Sequence, residues 1–435
     1  MTSNQKNRKA EVIKRVSPTN DFPALPARLS DATIGRFFLI VSPGFEADAE
    51  RELRGHLAGS GFEETVKKEK GGVSFEAALR TVLAVQPKLK VVTRVLLRIA
   101  VFGAKDFPKL HRKIQGLPWK TWLKPGVTIR ARAASHRSRL RIKKRIEIVA
   151  EEAVAEALGI PYQEESAGPQ ILCLLRLDDD VATVSLDLSG ELLHKRGDRE
   201  DVGKAPLRES FAAAVVERSL EHLKASGKTF EWIEPMAGTG VFLHEYLRSE
   251  GLLAEPDVAK RTFAGVEFLA IQTSKKYESA AAPLMAVTPK PNVKLFTRYT
   301  LIETHTEQRA RASELAPKGL PIEVLASASA WASGEEPRFI VVNPPWGKRL
   351  KAGATDTTAK QEEFLLGLEA QFAPAFVACV MPALGRRPRL PKGWEQAASV
   401  RFRAGGVLVA ASFFRVRSRL GENKALPLQS VDKQD

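Results

Sequence analysis

At 435 residues the chain exceeds what one ordinary hydrophobic core organises, so two or three domains are expected. Hydrophobic residues make up 44% and no apolar run reaches the ~18–20 residues of a membrane-spanning helix, so a globular protein without a membrane partner is expected. The formal net charge is +16, and residues 101–150 hold fourteen lysines and arginines against only Asp106 and Glu147, so the excess is concentrated in one stretch.

Met1–Leu29 is polar and basic without an apolar core of secretory type, so residues 1–35 are expected to be a disordered basic tail. Cys173 and Cys379 each sit inside an apolar run and read as buried, inert thiols of a reducing, cytoplasmic setting. The seven histidines show no ligand spacing, so no metal is expected. RFFLIVS, from Arg36, predicts a strand, Glu46–Leu57 an amphipathic helix, and GGVSFEA a strand after a glycine turn. Leu79–Val85 reads as helical and Val91–Val101 as a long strand.

The basic stretch follows. Ser135–Gly159 reads as one helix, with Ile142, Ile146, Val149, Ala153 and Ala157 at helical spacing and Gly159 as its stop. Arg137, Arg139, Arg141, Lys143, Lys144 and Arg145 crowd its first half, where the helix dipole disfavours positive charge. A polyanion outside the chain rationalises that arrangement, so these six residues are expected to bind nucleic acid phosphates. Gln170–Leu177 and Val181–Leu188 read as strands that close a compact α/β module.

Ser189–Pro206 is polar and reads as a linker. A helix is expected from Pro206, with Leu207, Phe211, Ala214 and Val215 on its apolar face. Strands are then expected at Phe230–Ile233, Thr262–Val266, Val293–Phe296, Arg338–Val342 and Ala375–Met381, with a hairpin over Val400–Arg403 and Gly406–Val416. Lys318–Glu336 reads as a loop. Repeated β–α units predict an open, mostly parallel sheet covered by helices, with ligands beyond the carboxyl ends of its strands.

Three motifs lie at such ends. In Glu234-Pro-Met-Ala-Gly-Thr-Gly240, Gly238 and Gly240 allow a tight turn and close ligand approach. An acid at the strand end repels a pyrophosphate and suits a cationic ligand such as S-adenosylmethionine (SAM), and no P-loop pattern is present. Glu267 in AGVEFLA is placed to take both hydroxyls of a ribose. Asn343-Pro344-Pro345-Trp346 is the most specific signal. Its prolines fix a rigid turn, the Asn343 amide oxygen and the Pro344 carbonyl can accept from an exocyclic amine, and Trp346 offers a face for a base drawn out of its helix.

Together with DLSGELLHKRGDR and APLRES these motifs, in this order, resemble the THUMP-containing bacterial rRNA guanine-N2 methyltransferases over roughly residues 36–415. The resemblance implies an α/β fold in which a Rossmann-like methyltransferase domain follows a ferredoxin-like and THUMP RNA-binding module. It implies a ferredoxin-like module at 36–80, THUMP at 81–188, a linker at 189–205, the methyltransferase domain at 206–418 and a tail at 419–435. It further implies that Glu234, Pro235, Ala237, Gly238, Thr239, Gly240, Glu267, Pro206, Leu207 and Ser210 hold SAM, and that Asn343, Pro344, Pro345 and Trp346 hold the base. Trp346 replaces the family's tyrosine and Asp198 replaces an aromatic residue. Arg298, Tyr299 and Thr300 stand where the family has an adenine-binding acid after the third strand. The expected reaction is transfer of a methyl group to guanine N2 in 23S rRNA. A tRNA guanine-N2 or adenine-N6 methyltransferase, and a non-catalytic RNA-binding ribosome-assembly factor, stay open, because no residue separates the two amines.

Overall fold

A computed structural model describes residues 25–164, 168–195, 207–252, 265–272, 295–316, 319–344, 357–383 and 386–420. The elements in chain order are β1 (Leu29–Ser30), β2 (Ile34–Ile40), α1 (Glu46–Leu57), β3 (Lys67–Glu69), β4 (Gly72–Ala78), α2 (Leu79–Val85), β5 (Arg94–Gly103), α3 (Phe107–Gln115), α4 (Trp119–Trp122), β6 (Thr128–His136), α5 (Lys143–Leu158), β7 (Gln170–Asp178), β8 (Val181–Asp187) and α6 (Glu209–Ala225). They continue with β9 (Phe230–Pro235), α7 (Val241–Ser249), β10 (Ile271–Gln272), β11 (Phe296–Ile302), α8 (Thr306–Leu315), β12 (Ile322–Leu325), β13 (Arg338–Val342), α9 (Thr357–Phe372), β14 (Phe376–Pro382), β15 (Glu395–Ala404) and β16 (Val407–Arg415). The chain divides into two compact units: residues 30–96, 188–267 and 273–435 form one, and residues 1–29, 97–187 and 268–272 the other.

The larger unit is built on a seven-stranded sheet of order β12-β11-β9-β13-β14-β16-β15. β12, β11, β9, β13 and β14 run parallel, and β16 and β15 close the edge antiparallel. The central strands are buried on both faces, which is why RFIVV is almost uninterruptedly apolar, while FEWIEP buries two glutamates, Glu231 and Glu234, among its apolar residues. Leu365, Leu368 and Phe372 of α9 pack with Ile233, Ile340, Val342 and Val377 in one buried cluster. The sheet order reverses at β9: the chain proceeds outward through β11 and β12, then returns to β13 on the other side. That is the topological switch at which open α/β sheets bind ligands.

The N-terminal strands belong to this same unit. β2 pairs antiparallel with β4, and β4 with β3. Phe45, Phe211 and Phe402 meet with ring centroids 4.6–5.6 Å apart. Arg218 of α6 donates twice to the buried Asp48 carboxylate of α1, at 2.6 and 2.7 Å. The compact unit runs through residues 30–96 without a break at 35 or 80, and Phe45 and Asp48 tie this segment to α6 and β15. The proposed linker is also anchored in its first part. Val95 donates its N–H to Ser189 Oγ at 2.8 Å, Leu193 donates to Thr93 O at 3.0 Å, and His194 is buried. Its remainder, with Asp198 and Pro206, lies outside the described residues.

In the smaller unit β6 pairs parallel with β7, and β7 antiparallel with β8. α5 packs its Ile146, Ala150, Ala153 and Val154 face inward and ends at Gly159 in the left-handed region. The single helix expected from Ser135 is thus corrected. Ser135 and His136 end a strand, residues 137–142 are loop, and Ile142 is exposed. Arg137, at φ 45, cannot continue a right-handed helix. Both cysteines are buried; burial raises the Cys379 thiol and pushes Cys173 up to about 12.

Candidate cofactor and base site

The carboxyl ends of β9, β11 and β13 lie side by side. Glu234 pairs with Leu301 and Pro235 with Ile302, while Ile233 pairs with Ile340. The loop after β9 folds onto β11: the N–H groups of Met236 and Ala237 both donate to Ile302 O, at 2.9 and 3.0 Å. Met236, Gly238 and Gly240 all lie in the left-handed region, at φ 74, 57 and 75. A Cβ on Gly240 would stand 3.3 Å from Leu301 Cδ1, so this glycine is required by both conformation and space.

Glu234 is 1% exposed, and its carboxylate accepts the Leu243 N–H of the first turn of α7 at 3.3 Å. A helix start stabilises that buried negative charge. Thr239 Oγ1, in the same loop, is buried with no hydrogen-bond partner among the described residues. Leu207 and Ser210 open α6, which packs along α7, and Ser210 Oγ is likewise buried without a partner among those residues.

The acid at the end of the strand beside β9 is Glu303, not Glu267. Glu303 directly follows β11, is buried, and accepts the Gly238 N–H at 2.8 Å on Oε2 and the His305 N–H at 2.8 Å on Oε1. Glu267 is exposed on a 3-10 turn. The residues after it bond elsewhere, Phe268 O accepting from Lys124 N–H at 3.0 Å and Ala270 N–H donating to Trp122 O at 2.8 Å. Most of the strand expected at Thr262–Val266 lies outside the described residues, and Val266 opens this turn. The expected third-strand departure is corrected by the same register. Arg298, Tyr299 and Thr300 belong to β11, next to β9, and Tyr299 is core, its ring tilted against Trp232, Tyr246 and Phe296. The outer parallel strand is β12, inside the segment read as a loop. Sequence offered one usable signal for Glu303: the strand-like FTRYTLIE ends in Leu-Ile-Glu, much as the neighbouring strand carries Trp-Ile-Glu.

Asn343 and Pro344 follow β13, Asn343 half-buried and Pro344 buried. Their strand runs parallel to β9, so the turn opens at the same sheet edge as Glu234 and Glu303. Pro345 and Trp346 lie outside the described residues. This edge presents two buried carboxylates, the closely approachable backbone of the glycine loop and the Thr239 hydroxyl, which has no partner among the described residues. It suits a ligand with a cationic group and a diol. No group of three or more metal-ligating side chains occurs among the described residues, and no helix among them is long and apolar enough to cross a membrane.

The cations expected to meet nucleic acid fall in the smaller unit. Arg137, Arg139 and Arg141 lie on the β6–α5 loop, and Lys143, Lys144 and Arg145 on the first turn of α5. All six are exposed. That turn holds no acid and no side-chain cap. Arg145 stacks on Phe107 at 4.2 Å, and Lys144 pairs with Glu164 at 2.8 Å.

Strand order, parallel pairing and the three strand-end loops define a Rossmann-like methyltransferase fold. A methyltransferase solved with S-adenosylhomocysteine covers 88% of this chain and 98% of its own at TM-score 0.68 and 20% identity. TrmN from Thermus thermophilus covers 88% of this chain and 99% of its own at TM-score 0.60 and 17% identity. In sequence, the ribosomal RNA large subunit methyltransferase K/L of Methylococcus capsulatus is 29% identical over 334 residues, 72% of this chain and 42% of that protein. The resemblance read from the motifs is borne out by such relatives, although the chain spans about four-tenths of the length of that relative. No protein-family model matches the chain.

Proposed function

We propose that the chain is a SAM-dependent RNA methyltransferase that modifies guanine N2 in 23S rRNA. The observation that carries this reading is the convergence of the glycine loop with Glu234, of Glu303, and of Asn343-Pro344 at the ends of three adjacent parallel strands. The large-subunit rRNA named for the curated relatives favours that RNA as substrate. The same reading puts the protein in the cytoplasm and makes the smaller unit a THUMP-type RNA-binding module.

When bound, SAM supplies an electrophilic methyl group. Glu234, the backbone of the Ala237–Gly240 loop at close approach and the Thr239 hydroxyl would hold its amino-acid end, and Glu303 its ribose hydroxyls; the Ala237, Gly238 and Gly240 N–H groups are engaged in shaping the loop. Leu207 and Ser210 line the approach; Pro206, which the resemblance adds to this set, lies outside the described residues. Glu267 has no role in this arrangement. Asn343 Oδ1 and the Pro344 carbonyl accept from the exocyclic amine of the base, which turns the nitrogen lone pair out of conjugation with the ring. Pro345 and Trp346, outside the described residues, keep the roles the sequence implies for them, a rigid turn and a stacking face for the base. The amine becomes acidic only as it attacks, so positioning and polar stabilisation carry the rate and no strong base is required.

The test is nucleoside analysis after incubation of the chain with labelled SAM and unmodified rRNA or tRNA. Label in N2-methylguanosine from rRNA supports the reading. Label in N6-methyladenosine or in tRNA replaces the substrate. No label in any RNA, with RNA bound, leaves an assembly factor.

A further inference from the structure

The basic loop of the smaller unit has an acidic counterpart that the methyltransferase reading leaves unused. β7 and β8 are joined by a two-residue turn, Asp179-Asp180, both left-handed at φ 49 and 64. Glycine or asparagine is the low-energy choice in such a turn. Two aspartates keep two carboxylates there against that preference. His136, the last residue of β6, lies opposite Asp178. The chain leaving β6 therefore passes this hairpin tip.

The three acids of the tip fall into two kinds. Asp180 is an anchor: its Oδ1 accepts the Arg139 N–H at 2.7 Å, its own N–H donates to Ser138 Oγ at 3.0 Å, and its side chain is 20% exposed. Asp180 Oδ2 also lies 3.6 Å from Arg139 Nε, whereas Asp178 and Asp179 act on the loop only as counter-ions, to Arg137. Arg137 Nη2 lies 3.4 Å from Asp178 Oδ1 and 3.1 Å from Asp179 Oδ2, with Arg137 and Asp179 63% and 66% exposed. Burial opposes ionisation of Asp178, but hydrogen bonds from His136 and Arg137 outweigh it and hold the carboxyl below its usual range. Asp178 is thus a carboxylate at neutral pH. Exposed ion pairs of this kind are weak. A phosphodiester offers a guanidinium the same paired oxygens, and its binding is further driven by release of condensed counter-ions.

We propose that the hairpin tip is an internal phosphate mimic: Asp180 presets the Arg137–Arg141 loop, while Asp178 and Asp179 occupy Arg137 until an RNA phosphate displaces them. The proposal rests on the RNA-binding reading above and names the device that sets the affinity of that surface. A stray polyanion must compete with the carboxylates, so the tip lowers the tenacity of casual contacts without removing the arginine that a true substrate uses.

The experiment is fluorescence anisotropy of a fluorescein-labelled RNA hairpin with the full chain, Asp179→Asn, Arg137→Gln and the double variant. Asp179→Asn is expected to tighten binding about two- to five-fold. The gain is expected to vanish in the Arg137→Gln background. Unchanged or weaker binding by Asp179→Asn overturns the mimic while leaving RNA binding intact. An equal gain in both backgrounds also overturns it, since that traces to net charge. Failure of the unaltered chain to bind the hairpin overturns the RNA-binding reading itself.

Discussion

Replacing Glu303 by glutamine is expected to weaken binding of S-adenosylhomocysteine far more than replacing Glu267 by alanine. Glu303 Oε1 and Oε2 each carry one backbone N–H, from His305 and Gly238 at 2.8 Å each, which leaves each oxygen further lone-pair capacity toward a diol. Hydrogen bonds to a charged group contribute about 1.5–3 kcal/mol each and add poorly when they share one carboxylate, so a net loss of about 2–3 kcal/mol is expected, or about 30- to 150-fold in Kd. Glutamine keeps the length of the side chain but turns one acceptor into a donor that faces an N–H. Glu267 is exposed on its turn, so Glu267→Ala is expected to stay within about two-fold. The assay is isothermal titration calorimetry on the full chain, with a thermal melt of each variant to check folding. Loss of affinity in Glu267→Ala, with Glu303→Gln unaffected, would refute the assignment made from the sheet register.

Gly240→Ala forces a Cβ into the left-handed region 3.3 Å from Leu301 Cδ1, so its unfolding free energy is expected to fall by at least about 1–2 kcal/mol, read from a urea titration. Asp48→Ala removes a carboxylate whose side chain is 2% exposed from Arg218, which is 19% exposed, and is expected to cost about 2–4 kcal/mol in the same assay; a loss under about 0.5 kcal/mol would mean the pair is effectively solvated. The Cys173 thiol is pushed from its ordinary 9.0 to about 12, so it stays protonated in the folded chain where an unfolded thiol ionises; its stability contribution is complete below pH 9 and declines as pH rises toward 12. Thiol labelling of the folded chain is therefore expected to stay slow at pH 9 and to become fast in denaturant. Hydrogen bonding from Arg419, aided by Trp394 Nε1–H against the opposing effect of burial, holds the Glu369 carboxyl below its ordinary 4.5. A depressed acid contributes stability above 4.5 that is lost as pH falls, so Arg419→Ala is expected to lose less stability than the parent chain on acidification from pH 5 to 3, as urea midpoints would show.

The strands most visible in the sequence are those whose environment is uniform. RFIVV and FVACVMP are buried on both faces and announce themselves as apolar runs, and the loops at Glu234 and Asn343 carry glycines and prolines that few other positions demand. Glu303 was hidden because neighbour relations in a sheet are set by tertiary pairing, not by chain order. Counting strands from Phe230 leads to AGVEFLA, whereas the register places TLIE beside IEP. β12 was hidden because it is a short edge strand, only partly buried along its length. β6 was hidden by charge. Its buried Ile129 and Ala131 alternate with exposed Arg130 and Arg132, a short period-2 pattern masked by its cations, and its last two residues, Ser135 and His136, fell within the helix expected from Ser135. Asp106 capping Lys109 N–H at 2.7 Å, ahead of Pro108, was a readable start for α3 that the weight of basic residues obscured.

The account stands most directly on transfer of a labelled methyl group from SAM to rRNA lacking the modification, by the unaltered chain and by Asn343→Ala. Incorporation by the unaltered chain as N2-methylguanosine, with loss of at least two orders of magnitude for Asn343→Ala at undiminished S-adenosylhomocysteine affinity, is the predicted result. Equal incorporation by both chains would contradict the role given to the Asn343-Pro344 turn, and none by either would contradict the enzyme.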